Sequence, residues 1–113
     1  MKAIFIDAEH RKIEAIEIGF SGRCGLGEFY ETIGNGCRVV QTIPWEGKND
    51  LVVDEEILLR GDVDYGFKCR NYNGMKIIGN GIVVGYGEED FDDTTTTPEE
   101  VAKIIQFFSI IGG

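Results

Sequence analysis

The chain has 113 residues, 42% of them hydrophobic, enough for one buried core and too few for two ordinary domains. Its net charge of −9, from 20 acidic against 11 basic residues, argues against direct binding to nucleic acid, where Lys and Arg must neutralise phosphates. Cys24, Cys37 and Cys69 are widely spaced and His10 is the single histidine, so no zinc-ligand pattern is present and the cysteines read as reduced thiols. No charged-then-apolar leader opens the sequence and no apolar run approaches ~18 residues; the expectation is a cytoplasmic protein, neither secreted nor membrane-spanning.

In chain order, Lys2–Asp7 and Lys12–Ile18 are β-rich runs separated by Ala8-Glu9-His10-Arg11, which predicts an opening hairpin. Glu14 and Glu17 break strict alternation with Ile16 and Ile18 and suggest a bulge or an early twist. A glycine-rich connection over Gly19–Gly25 follows. Leu26, Phe29, Tyr30 and Ile33 then have helical spacing, ended by Gly34-Asn35-Gly36. Cys37–Ile43 alternates as a strand stopped by Pro44, and Leu51-Val52-Val53 returns after a turn over 45–50. Asp54 either caps a short helix over Glu55–Leu59 or continues the strand. Tyr65, Phe67 and Cys69 alternate with Gly66, Lys68 and Arg70, as in an edge strand with a basic outer row. Asn71-Tyr72-Asn73-Gly74 is a turn, and 77–86 is the most apolar β-run, its Gly79, Gly81 and Gly85 marking close backbone approach. After the acidic stretch Glu88, Glu89, Asp90, Asp92 and Asp93, Thr97-Pro98-Glu99-Glu100 forms a capping box, and Val101, Ile104, Ile105 and Phe108 continue as a helical stripe. The fold class is therefore α+β over residues 1–113: a twisted antiparallel sheet of about five to six strands, with one short helix and one C-terminal helix packed on it.

Templates for chemistry fail at named positions. Around Ser21, Gly19-Phe20-Ser21-Gly22-Arg23 lacks the second glycine of a nucleophile elbow. Gly47-Lys48-Asn49 lacks the hydroxyl residue of a phosphate loop. Asp90, Asp92 and Thr94 match alternate ligands of a calcium loop, but Thr95 stands where glycine is needed and Val101 where a bidentate Glu is needed. His10 sits in a turn, where it faces solvent. The reading is a protein that is not an enzyme and needs no cofactor or metal. What remains is a basic, amide-rich stretch: Lys68, Arg70, Asn71, Tyr72, Asn73, Lys76 and Asn80. Lysine and arginine hold phosphate or carboxylate, asparagine reads a base edge, and Tyr72 offers a stacking face. Either an ordinary charged hairpin or an anion pocket completed by a second subunit satisfies this pattern.

The opening Lys2–Asp7, the helix end Ile33-Gly34-Asn35-Gly36, the run Ile78-Gly79-Asn80-Gly81-Ile82-Val83-Val84-Gly85 and Glu99-Glu100-Val101 occur in this order. Together they resemble a family of small uncharacterised proteins of phages, plasmids and other mobile elements, defined only as a domain of unknown function. The Gly19–Gly25 connection and the segment Asp62–Asn73 depart from the shorter family pattern. The resemblance implies a phage-encoded counter-defence factor in the bacterial cytoplasm. Its sharpest form is a homo-oligomeric sponge that sequesters a cyclic or ADP-ribose-type nucleotide messenger of bacterial immunity. The alternative is an acidic inhibitor that binds a host protein, as a DNA mimic does, or a plain interaction domain.

Overall fold

A computed structural model of the chain describes residues 1–19, 26–61, 63–87 and 90–110. Strands β1 (Lys2–Asp7) and β2 (Lys12–Glu17) form the expected hairpin, with Arg11 at φ 56° in its turn. Asp7 closes that turn: Oδ1 accepts the His10 N–H at 3.1 Å and Oδ2 meets His10 Nδ1 at 2.9 Å. Helix α1 (Gly27–Ile33) buries Phe29 and Ile33 and stops where Gly34, at φ 74°, donates its N–H to Tyr30 O. Strands β3 (Val40–Pro44) and β4 (Asn49–Asp54) follow. Asp54 ends β4 and its Oδ1 accepts the Glu56 N–H at 2.9 Å, which starts the single turn α2 (Ile57–Arg60). The ambiguity at Glu55–Leu59 thus resolves as a late, short helix. Next come β5 (Tyr65–Cys69), a 3-10 turn Arg70–Tyr72, β6 (Met75–Ile78), β7 (Gly81–Tyr86) and β8 (Phe91–Asp92). Helix α3 (Pro98–Ile104) runs directly into β9 (Ile105–Ser109).

All pairings are antiparallel and make two sheets. The larger has the order β2-β1-β7-β4-β3, with β8 added to β7; the smaller is β6-β5-β9. Register brings Ile4, Val83 and Leu51 into one row across the larger sheet. That face meets Phe67, Cys69, Ile77 and Ile105 of the smaller sheet and Val101 of α3, all buried in one core. The opposite face carries Ala3, Val52, Ile82 and Val84, covered by Phe29 and Ile33 of α1. The result is three layers: a helix, a sheet, and a small sheet with its helix. Between the sheets the fit is close, and Gly81 shows how close. A Cβ there would stand 3.0 Å from both Leu51 Cδ1 and Phe67 Cζ, so the ring of Phe67 lies where a side chain would be. At Gly85 the obstacle to a Cβ is the main-chain carbonyl of Asp93.

The α+β class stands, and three local expectations are corrected. The apolar run over 77–86 is not one strand. It breaks at Gly79-Asn80, with Gly79 at φ 86°, and its two halves belong to different sheets. The C-terminal helical stripe ends at Ile104, and Ile105 and Phe108 are strand residues. Apolar positions at 101, 104, 105 and 108 suit a helix, but the aromatic, β-branched run from Ile105 also suits a strand, and the unpaired side of β5 decides between them. Finally, β1 and β2 pair without interruption from Lys2↔Glu17 to Asp7↔Lys12, so no bulge exists; β2 is an edge strand half-exposed on both faces. The glycine-rich connection over 20–25, with Ser21 and Cys24, lies outside the described residues, as do Asp62, Glu88, Glu89, Ile111, Gly112 and Gly113.

Two buried asparagines tie loops to this frame. Asn80 Oδ1 accepts the main-chain N–H groups of Ala8 at 2.8 Å and Glu9 at 3.4 Å, and its Nδ2 donates to Ile33 O at 3.1 Å. Asn49 Oδ1 accepts the Thr94 hydroxyl at 2.7 Å and the Thr95 N–H at 3.1 Å, while Nδ2 donates to Glu46 O and Thr95 Oγ1. Replacing Asn80 by alanine orphans a buried donor and a buried acceptor, each costing about 1–3 kcal/mol. Urea denaturation of Asn80→Ala is therefore expected to show a loss of roughly 2–4 kcal/mol at unchanged slope. A loss below about 1 kcal/mol would mean that solvent satisfies those groups.

Candidate functional site

The candidate site is built on β5, the middle strand of the smaller sheet and not an edge strand as the sequence suggested. Because side chains alternate along a strand, Phe67 and Cys69 enter the core while Gly66 and Lys68 face outward. Register sets Lys68 opposite Lys76 on β6 and opposite Gln106 on β9. Two residues earlier, Gly66 lies between Ile78 and Phe108. A Cβ at Gly66 would run into the Ile77 carbonyl, so this point of the surface has no side chain. Lys76 uses the gap: its Nζ reaches across β5 to within 5.9 Å of the Phe108 ring centroid.

The face has an unusual charge balance. Like charges directly opposite each other in an antiparallel pair are destabilising. Among the described residues, neither lysine has a carboxylate oxygen within 4.0 Å, nor does Arg70, which is exposed at the end of the strand. Lys76 also lines a neighbouring groove of about 430 Å³ between β3, the start of α2 and β6, whose other walls include Ile43, Ile57, Met75 and Ile77.

The remaining residues of the basic, amide-rich stretch are placed elsewhere or used otherwise. Tyr72 packs against the core, so its ring is not a platform on this face. The side-chain oxygen of Asn71 is covered and accepts no hydrogen bond among the described residues. Asn73, at φ 55°, turns the chain after the 3-10 segment and is exposed. The amide of Asn80 is buried, bonded to Ala8, Glu9 and Ile33. Lys68 and Lys76 are thus brought together, Arg70 follows β5 in the exposed start of the 3-10 turn, and Asn80 is separate. Gln106 and Phe108 join the face although sequence reasoning assigned the stripe containing Phe108 to a helix. The signal was present in Ile105-Gln106-Phe107-Phe108-Ser109, an uncharged run of β-forming residues.

A second polar group lies at the β1–β2 turn. The Tyr65 hydroxyl accepts from Asn35 Nδ2 at 2.8 Å and donates to Glu9 Oε2 at 3.4 Å. Burial raises the Tyr65 pKa above its ordinary value, with the neighbouring Glu9 charge acting in the same direction against the Asn35 hydrogen bond. The phenol therefore stays a donor at neutral pH. In the acidic loop, Asp93 Oδ1 accepts the Lys2 N–H, Asp92 Oδ1 accepts the Asp93 N–H, and the Thr94 hydroxyl donates to Asn49, so two of the three residues that matched a calcium pattern, Asp92 and Thr94, bond within the chain. Among the described residues no three His, Cys, Asp or Glu side chains converge as metal ligands, and no helix is long and apolar enough to cross a membrane.

Cys69, in the strand that carries the lysines, is fully buried, and burial pushes its thiol up to about 11. The unfolded thiol, with an ordinary pKa near 9, ionises first as the solution becomes alkaline. Its contribution to stability is therefore complete below about pH 9 and is lost as pH rises towards about 11. Thermal melting from pH 8 to 11 is expected to fall more steeply for the native chain than for Cys69→Val, and equal slopes would refute the assignment.

No curated protein and no solved structure matches the chain. One family model does match, over residues 1–109. By that match, which takes in both sheets, all three helices and the lysine face, the chain belongs to the family described as Domain of unknown function (DUF3846).

Proposed function

We propose that this domain is a non-catalytic binding protein that sequesters a small anionic ligand on the outer face of its smaller sheet. The observation that carries the reading is the placement of Lys68 opposite Lys76 with no carboxylate close to either among the described residues. In a chain of net charge −9, acidic groups are plentiful, yet these two cations stand together without one. An anion bound between them removes the repulsion, and lysine ammoniums bind phosphate as point charges. The adjoining groove, about 430 Å³, has the size of a small-molecule pocket; Ile43, Ile57, Met75 and Ile77 give it apolar walls that suit a nucleobase, and Gln41, Asp54 and Glu55 line it as polar groups. Phosphate on the lysines with a base beside them describes a nucleotide. The resemblance to proteins of mobile elements directs the choice of nucleotide to the cyclic or ADP-ribose-type messengers of bacterial immunity. On this reading the protein is a phage-encoded counter-defence sponge acting in the host cytoplasm.

The test is to purify the protein, incubate it with a panel of cyclic dinucleotides and cyclic ADP-ribose isomers, record melting temperatures, and heat the mixture to release ligand. At least one nucleotide should raise the melting temperature and be recovered intact. Lys68→Gln/Lys76→Gln should abolish that shift while leaving unliganded stability within about 0.5 kcal/mol, because lost repulsion and lost cation–π attraction nearly cancel. No shift with any member sinks the sponge reading, and an altered nucleotide on recovery replaces it with catalysis. Stoichiometric capture of one host protein, with no nucleotide bound, would instead favour the inhibitor.

A further inference from the structure

The groove beside the lysine face holds polar groups that phosphate binding leaves unused. One wall of it is β6, an edge of the smaller sheet. Gly79 N–H donates to Tyr65 O at 2.7 Å, and the register carries that exchange on to Ile77 and Phe67. By alternation, the N–H and C=O groups of Lys76 and Ile78 point away from β5, towards the groove. Among the described residues no strand pairs with that side of β6. The facing wall includes Asp54 and Glu55. Asp54 is buried, and its carboxylate accepts the Glu56 N–H. Glu55 is exposed and is tied to the fold through its main-chain N–H, which donates to Val39 O at 3.0 Å. Among the described residues its carboxylate has no basic group within 4.0 Å, whereas its neighbour Glu56 pairs with Arg38 at 3.0 Å.

We propose that the base held in this groove is guanine and that the Glu55 carboxylate selects it, an inference that rests on the nucleotide reading above and names its base. The edge of β6 is permissive, because every base carries a donor next to an acceptor and so does each strand residue that faces the groove. Discrimination falls to the carboxylate, which when ionised only accepts. Guanine presents two adjacent donors, N1–H and the N2 amino group, and the two carboxylate oxygens take them in parallel. Adenine and cytosine present an amino donor beside a bare ring nitrogen, and uracil presents one N–H between two carbonyls. In each of these a lone pair faces the second carboxylate oxygen. Paired, charge-assisted bonds of the guanine kind are among the strong ones. The phosphate position agrees with this placement. Lys76 Nζ lies across β5 towards Phe108, while the same residue also lines the groove on the other side of β6. A nucleotide then straddles β6, with phosphate over the lysines and its base against Glu55.

The experiment titrates the full chain by calorimetry with cyclic di-GMP, cyclic di-IMP, cyclic di-AMP and the cyclic ADP-ribose isomers. The inosine form keeps the guanine N1–H and lacks only the N2 amino group. Cyclic di-GMP should bind at least about tenfold more tightly than any other member, the discrimination one bidentate contact supplies. Glu55→Gln should weaken cyclic di-GMP at least about tenfold, bringing it near the inosine form. Because the side chain is exposed, the same variant should melt like the native chain without ligand. Equal or tighter binding of an adenine nucleotide overturns the guanine assignment and leaves the nucleotide reading standing. A guanine preference that survives Glu55→Gln overturns Glu55 as the selecting group. Binding of no member at all removes the nucleotide reading, and this inference with it.

Discussion

A buried amide that has to be satisfied holds the junction between the two sheets. Asn80 stands where the chain leaves β6 and enters β7, the strand between β1 and β4. Its three partners come from the β1–β2 turn and the end of α1, segments distant in sequence. In a low-dielectric interior those groups have no water to turn to, so the amide fixes where turn and helix end relative to the central strand. Gly79 makes this possible. Its positive φ turns the chain out of β6, and a Cβ there would press on Ile57 Cδ1 at 2.9 Å. Layer arrangement, core and lysine face all follow from the turn made at this point.

Asn49 does the same work at the other end of the larger sheet. It gathers Thr94 and Thr95, Thr94 Oγ1 accepts the Thr96 N–H, and Thr97 Oγ1 accepts the Glu100 N–H to start α3. The four consecutive threonines are thereby a strap in which each residue has a hydrogen-bonding task. The strap delivers α3 to the core through Val101 and leaves Ile105 positioned to enter the smaller sheet. The outer row of Lys68, Gln106 and Phe108 is therefore assembled from chain segments that the strap and the Gly79-Asn80 turn bring together.

Local signals were legible in the sequence, and long-range ones were not. The hairpin at Ala8–Arg11, the α1 stripe with its glycine stop and the capping box at Thr97 all depend on neighbours a few residues apart, and all are present. The division of residues 77–86 between two sheets depends on what lies opposite each half, which no periodicity records. The switch at Ile104–Ile105 is of the same kind: both periods fit, and the free side of β5 selects the strand. For the site, Lys68 and Lys76 were legible as a hairpin pair because register across a short turn is nearly forced. Asn80 had the right chemistry for a ligand amide, but its burial is a property of the fold. Gln106 and Phe108 joined the face through a pairing spanning about forty residues, beyond the reach of any local pattern.

The position of β7 also bears on how the chain folds. It separates β1 from β4, so Ile4 must find Val83 across nearly eighty residues before the middle of the larger sheet exists. The β1–β2 and β3–β4 hairpins can form early, but each remains a two-stranded ribbon with a bare apolar face until β7 arrives. During synthesis that arrival waits for Tyr86 to leave the ribosome, and by then the β5–β6 hairpin has already been made. Loop closure of that length, with sheet pairing as its reward, puts the barrier to folding late along the chain. The uncharged strand β9 follows β5 and β6 in the chain, so its pairing partner is already made when it emerges.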